Sequence, residues 1–215
     1  MDKQFFGAFL DLSKRLCVVI GGGKVAERKV QSLLLCEARV RIVSPTLTPA
    51  LAELVSEGRI EYVERSFQSG DTKGAFLTVA ATNSPEVNRL VVQEAEADGR
   101  LVNSVHASTR GNTIFPAVVR RGPLQVAIST SGTGPAVARA VREELENYFD
   151  TEYELYLHKV SSIRNMLMKT IEDEAVRAEI IREIVQSNVR ELLRSGNEAE
   201  ADRTIRVIIE GRRNS

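Results

Sequence analysis

The chain has 215 residues, 43% of them hydrophobic and 27% charged, an ordinary composition for a globular protein large enough for one large domain or a medium one with a smaller partner. Lys and Arg together number 29 and so do Asp and Glu. A net charge of zero argues against nucleic acid or an anionic membrane as the main partner, while leaving room for a local basic site. No apolar run approaches the ~20 residues of a membrane span. The segment Met1-Asp2-Lys3-Gln4-Phe5-Phe6 is too short and polar for a signal peptide, so a cytoplasmic location is expected. Cys17 and Cys36 have no CxxC spacing and read as free thiols, and no metal ligands are assigned.

In chain order, Arg15 to Ile20 is an apolar run that reads as a buried strand ending in three glycines. Val25, Ala26, Val30, Leu33 and Leu34 then recur at helical spacing, and Arg39 to Val43 is a second strand. Strand, glycine turn, helix and strand within about 30 residues make a βαβ unit. The alternation continues: a helix over 47–57, strands over 60–63 and 75–81, a helix over 86–97 and a strand from Leu101. This predicts a Rossmann-type doubly wound parallel sheet of about five strands.

Beyond it, strands are expected over Thr113–Val119 and Leu124–Ser129, with Arg120-Arg121-Gly122-Pro123 as the turn, then a helix from Pro135 to about Phe149. Segments 152–170, 173–194 and 198–211 are charged and helix-prone. The expected domains are a dinucleotide-binding domain over 1–112, a dimerisation region over 113–150 and a helical C-terminal domain over 151–215.

The loop Gly21-Gly22-Gly23-Lys24-Val25-Ala26 fits G-x-G-x-x-A between a strand and a helix. The first glycine allows the tight turn, the second lets backbone approach a pyrophosphate, and Ala26 lets helix and strand pack closely. The pyrophosphate would meet free N–H groups at the helix start. A plain strand-to-helix turn is the alternative. The acid that normally holds the ribose about 20 residues on is missing. Ser44, Pro45 and Thr46 stand there instead, so NAD and NADP are not separated at this point. Thr82 and Asn83 end the fourth strand on the carboxyl edge, as cofactor contacts or as a polar turn.

A second glycine-rich turn, Ser129-Thr130-Ser131-Gly132-Thr133-Gly134-Pro135, also leads into a helix and suits a carboxylate or phosphate, or serves as a capped helix start. Asn103 and His106 follow the fifth strand, and an imidazole there could move protons near neutral pH. Arg110, Arg120, Arg121, Arg139 and Arg142 fall around this region, and Arg forks bind carboxylates well. His158 reads as a surface residue of the tail.

Taken together, Gly21 to Lys29, Ala80-Ala81-Thr82-Asn83, Phe115-Pro116-Ala117, Pro123 to Ser129 and Ser131 to Pro135 resemble the precorrin-2 dehydrogenases of siroheme synthesis, in the same order over roughly residues 1 to 150. The resemblance implies oxidation of precorrin-2, a tetrapyrrole rich in carboxylates, to sirohydrochlorin with NAD, in a homodimer. It implies that some members also insert ferrous iron. On this reading NAD contacts Gly21, Gly22, Gly23, Lys24, Val25, Ser44, Pro45, Thr46, Thr82 and Asn83. The tetrapyrrole contacts Asn103, Arg120, Ser129, Thr130, Ser131, Gly132 and Thr133, and His106 takes the proton. One position departs from the family, which carries an Asp where this chain has His106. Thr130 stands at the family's phosphorylated serine. Two other readings remain: an NAD-sensing regulatory module without chemistry, and a dehydrogenase for another substrate, although no Tyr-x-x-x-Lys pair is present.

Overall fold

A computed structural model describes residues 4–106 and 111–213. The chain forms two compact units, with the divide between Phe115 and Pro116. The first contains β1 (Leu16–Ile20), α1 (Lys24–Leu34), β2 (Arg39–Ser44), α2 (Pro49–Ser56), β3 (Glu61–Glu64), β4 (Leu77–Ala80), α3 (Pro85–Ala97) and β5 (Leu101–Ser104). Its five strands lie in the order β3-β2-β1-β4-β5 and every pair is parallel.

The period of two along β1 explains the layering. Cys17 and Val19 pack in one cluster with Ala26, Val30 and Leu33 of α1 and Leu51 of α2. Val18 and Ile20 pack in another with Val91 of α3. Both faces of the strand are therefore covered, which is why its sequence is a continuous apolar run. The strand order reverses between β1 and β4, so the crossovers leave β1 in opposite directions and open a crevice at the carboxyl ends of those strands.

The second unit contains β6 (Ala117–Arg121), β7 (Leu124–Ile128), α4 (Pro135–Tyr148), α5 (Thr151–Thr170), α6 (Glu174–Gln186), α7 (Val189–Arg194) and α8 (Glu198–Arg213). Its core is helical: Leu167, Ile180, Ile184, Val189 and Ala201 are fully buried.

Two boundaries differ from expectation. The strand expected at Thr113–Val119 begins at Ala117 and runs through Arg121, so Arg120 and Arg121 are strand residues. Arg121 pairs with Leu124, which leaves Gly122-Pro123 as a two-residue hairpin turn. Gly122 has φ +52°, and its lack of a Cβ permits that. The helix expected over 173–194 breaks at Ser187-Asn188. The Ser187 hydroxyl donates to the Ile184 carbonyl and accepts from the Val189 amide, so the side chain competes with the helical ladder.

Candidate cofactor cleft

The crevice is a cleft of about 510 Å³ lined by Gly21, Gly22, Gly23, Ser44, Pro45, Thr46, Thr82 and Asn83, together with Ile20, Val43, Leu47, Thr48, Ser66, Phe67, Ala81, Ser84 and Val87. Eight of the ten expected cofactor residues thus meet in one place. Lys24 and Val25 do not line it. The Lys24 ammonium turns back along α1 to the Glu27 carboxylate, 3.1 Å from both oxygens.

The three glycines do different work. Gly21 has φ +118°, and a Cβ there would run into the Ala81 carbonyl. A Cβ on Gly22 would run into the Thr46 carbonyl. Both glycines are therefore demanded by the fold. A Cβ on Gly23 would meet nothing within 4 Å, so that position is open on the side a ligand would approach. Gly23 is also the N-cap of α1 and provides no side-chain acceptor, whereas Thr48 caps α2 and Ser84 caps α3 with their hydroxyls. The first amides of α1 are left without a side-chain partner, at the positive end of the helix dipole. Bare amides behind an open glycine fit a pyrophosphate.

The walls are fixed by internal hydrogen bonds. Ser44 is buried and its hydroxyl donates to the Thr46 carbonyl at 2.8 Å, leaving Oγ to act as an acceptor. Thr48 donates its amide to the Gly22 carbonyl at 3.0 Å. On the opposite wall the Thr82 hydroxyl bonds Asn88 Oδ1 at 2.9 Å. Two residues that sequence reasoning missed stand behind these walls. Glu27 is buried in the first turn of α1, and the Thr48 hydroxyl and then the Lys24 ammonium hold its carboxyl below the ordinary range. Asn88 is fully buried beneath Thr82. A polar side chain on the inner face of an amphipathic helix was the available signal.

His106 lies at the margin of the cleft. Its Nε2 is 3.2 Å from the carbonyl of Thr82, and its amide is 3.3 Å from Ser104 Oγ. Asn103 is buried and donates from Nδ2 to the Thr113 carbonyl at 2.9 Å, so its amide holds the chain that follows β5.

In the second unit the expected anion turn is tightly self-bonded. The Ser131 amide donates to Ser129 Oγ, the Thr133 hydroxyl to the Thr130 carbonyl, and the Gly134 amide to Thr130 Oγ1. Ser131 has φ +52°, and Gly134 gives α4 no side-chain cap. Arg120 is exposed and has no ion pair among the described residues. Arg121 bonds the Glu146 and Phe149 carbonyls at the end of α4. Arg139 pairs with Glu143, and Arg142 with Glu143 and Glu146. Arg110 lies outside the described residues. Those residues hold no group of three or more His, Cys, Asp and Glu side chains placed to bind a metal, and no helix long and apolar enough to cross a membrane.

Comparison with known proteins gives concordant findings. A family described as "Putative NAD(P)-binding" matches residues 8–117, and one described as "Sirohaem biosynthesis protein central" matches residues 121–148. The chain is 37% identical over 202 residues to the siroheme synthase of Pseudomonas paraeruginosa, covering 94% of this chain and 43% of that protein. It is 35% identical over 198 residues to the siroheme synthase of Chromobacterium violaceum, covering 92% and 42% respectively. It spans less than half the length of these curated relatives. Among solved structures, the one titled "SirC, precorrin-2 dehydrogenase" superposes with a TM-score of 0.81 at 28% identity, covering 94% of this chain and 99% of that one.

Proposed function

We propose that this chain, which belongs to the NAD(P)-binding family and carries the sirohaem-biosynthesis central region behind it, oxidises precorrin-2 to sirohydrochlorin with NAD. The observation that carries the reading is the bare N-terminus of α1 behind the open Gly23, facing a cleft walled by Ser44–Thr48 and Ala81–Ser84. The substrate assignment is supported by the names of the relatives, siroheme synthase and precorrin-2 dehydrogenase.

Bound NAD supplies a hydride acceptor. The amides of Gly23 to Ala26 would hold its pyrophosphate, and Ser44 and Thr46 the adenosine ribose. With no carboxylate at the end of β2, ribose recognition falls to the Ser44 Oγ and the loop carbonyls. Positioning then does much of the work, since alignment of bound reactants can remove roughly 7–11 kcal/mol of barrier in good model systems. His106 accepts the proton that the macrocycle loses. Arg120 and the turn Ser129–Thr133 are assigned to the substrate's carboxylates.

The protein is assigned as a cytoplasmic homodimer, with residues 113–150 as the dimerising segment, 1–112 as the NAD domain and 151–215 as the helical domain. Iron insertion, with ferrous iron as a substrate, is implied only for some members of the family and is a separate question for this chain. The test is anaerobic incubation of purified protein with precorrin-2 and NAD, following NADH and sirohydrochlorin absorbance together. Stoichiometric growth of both supports the dehydrogenase. Measured NAD binding without NADH formation overturns it in favour of a binding module. Ferrous iron added to the same cuvette tests insertion, and sedimentation tests the dimer.

A further inference from the structure

We propose that Glu27 selects NAD over NADP, as a buried carboxylate standing behind the end of β2, where the extra phosphate of NADP would lie. The inference rests on the reading of the cleft as a dinucleotide site and not on the tetrapyrrole assignment.

A dinucleotide fold of this kind discriminates at the end of β2, either with an acid that bonds the ribose hydroxyls or with an arginine that accepts a 2′-phosphate. This chain has neither in the cleft. β2 ends at Ser44, Pro45 and Thr46 follow, and the residues lining the cleft include no Lys, Arg, Asp or Glu.

The charges stand one layer back. Glu27 is in the first turn of α1 and its side chain is only 12% exposed. The hydroxyl of Thr48, in the loop after β2, bonds its carboxylate. Thr48 itself lines the cleft, and its amide donates to the Gly22 carbonyl at 3.0 Å. One hydroxyl serves both neighbours: its oxygen accepts from the Leu51 amide at 3.4 Å as the cap of α2, and its proton goes to Glu27. The carboxylate is therefore tied to the β2 wall of the cleft from the helix side. It is ionised at neutral pH, since Thr48 and Lys24 hold it below the ordinary range.

Two cations stand near the same end, and both are engaged. Lys24 Nζ lies 3.1 Å from both Glu27 oxygens. Arg65 directly follows β3, whose Glu64 is in register with Ser44, and its guanidinium makes two bonds to Asp71, at 2.7 and 2.8 Å. A 2′-phosphate would have to break one of these pairs to gain a partner, and would still meet Glu27. It brings roughly two negative charges. Salt screens a mostly buried carboxylate poorly, whereas the Lys24 side chain is 77% exposed and its ammonium is strongly hydrated, so Lys24 neutralises Glu27 only in part. A 2′-hydroxyl carries no charge and finds an acceptor in Ser44 Oγ.

The test is calorimetric titration of the full-length protein with NAD and with NADP, read as the ratio of the two Kd values. The wild type is expected to bind NADP on the order of a hundredfold more weakly. Glu27→Gln keeps the shape and an acceptor for Thr48 while removing the charge, and should shrink the ratio to about tenfold, chiefly by strengthening NADP. A merely structural Glu27 would weaken both cofactors alike in that variant, and an unchanged ratio overturns the proposal. Lys24→Ala combined with Glu27→Gln should keep most of the gain. A gain that vanishes there assigns the selection to a freed Lys24 and also overturns the proposal. Lys24→Ala alone serves if Glu27→Gln does not fold: with its counter-ion gone, Glu27 should widen the ratio about twofold, and a ratio that stays or shrinks counts against it. A wild type that binds both cofactors equally, or prefers NADP, overturns the proposal and leaves the cleft a dinucleotide site. Binding of neither sinks the dinucleotide reading itself, and the proposal with it.

Discussion

The amide of Thr48 donates to the carbonyl of Gly22 at 3.0 Å, so the glycine loop and the loop after β2 are held together by their backbones. This close approach separates two glycines that look alike in the sequence. Gly22→Ala forces a Cβ onto the Thr46 carbonyl and should cost about 1–3 kcal/mol, as other overpacking changes do. Gly23→Ala meets nothing in the folded protein and should leave the melting temperature within a few degrees. It should nevertheless raise the Kd for NAD roughly tenfold, about 1.4 kcal/mol, because the added methyl stands where the pyrophosphate approaches. Calorimetric melting and NAD titration of the two variants check both halves.

A pair of arginines gives a similar contrast. Arg121 closes the C-terminus of α4 by donating to the Glu146 and Phe149 carbonyls. Arg121→Ala should therefore destabilise the second unit by about 1–2 kcal/mol, the value of a charge-assisted bond at a partly buried site. Its neighbour Arg120 points the other way from the strand and is exposed. Arg120→Ala should leave stability unchanged and raise the KM for the tetrapyrrole, measured in the coupled NADH assay.

Acid should weaken the first unit through Asp71. The Arg65 guanidinium holds its carboxyl below the ordinary range with two bonds, at 2.7 and 2.8 Å, and the Gln68 amide adds a third. A carboxyl depressed in the folded state contributes stability that is present above its unfolded value, near 3.8, and is lost as pH falls through the folded value. Asp71→Asn should lower stability at pH 7 by about 1 kcal/mol, after allowance for the exposed Arg65 partner. It should also flatten the decline below pH 4. Urea titrations at pH 7 and pH 3 measure the difference.

The two thiols should differ in reactivity. Cys17 is fully buried in β1, and burial, with Cys36 nearby, pushes its thiol up to about 11. At pH 8 only about 0.1% would be thiolate, and the reacting species is the thiolate. Ellman's reagent should titrate Cys36 in the native protein and Cys17 only after unfolding. Two equally fast thiols in native buffer would mean that β1 opens far more readily than its packing allows.

The runs at 16–20 and 77–80 were legible in the sequence because parallel strands covered on both faces are apolar almost throughout, and β2 was legible although Arg39 and Arg41 alternate with the buried Val40 and Ile42. The glycine loop was legible because it joins such a strand directly to an amphipathic helix, the local order of a βαβ crossover. The roles within it were not. Nothing in Gly-Gly-Gly tells which residue faces Ala81, which faces Thr46 and which faces open space, since those neighbours come from two other loops. Asn88 and Glu27 escaped for the same reason, each being a polar residue whose partner is set by tertiary packing. The hairpin strand was placed too early because Arg120-Arg121 looked like a polar turn, while the positive φ of Gly122 lets two residues suffice. The break at Ser187 was missed because a hydroxyl within a helix-prone run leaves hydrophobic periodicity undisturbed.

The pairing of β1 with both β2 and β4 also governs the order in which the molecule can assemble. One neighbour follows directly after a single helix. The other arrives only after α2, β3 and the long loop beyond have been made. The second unit is built instead from a two-residue hairpin and successive helices that touch their near neighbours. Loop closure makes distant parallel pairing slow and local pairing fast. On dilution from denaturant the helical unit should therefore be the first to regain its structure, with closure of β1 onto β4 setting the pace for the rest. On the ribosome a nascent chain that stops short of β4 has no cofactor cleft to offer, and its central strand carries an open edge to whatever chaperone or neighbouring chain is at hand.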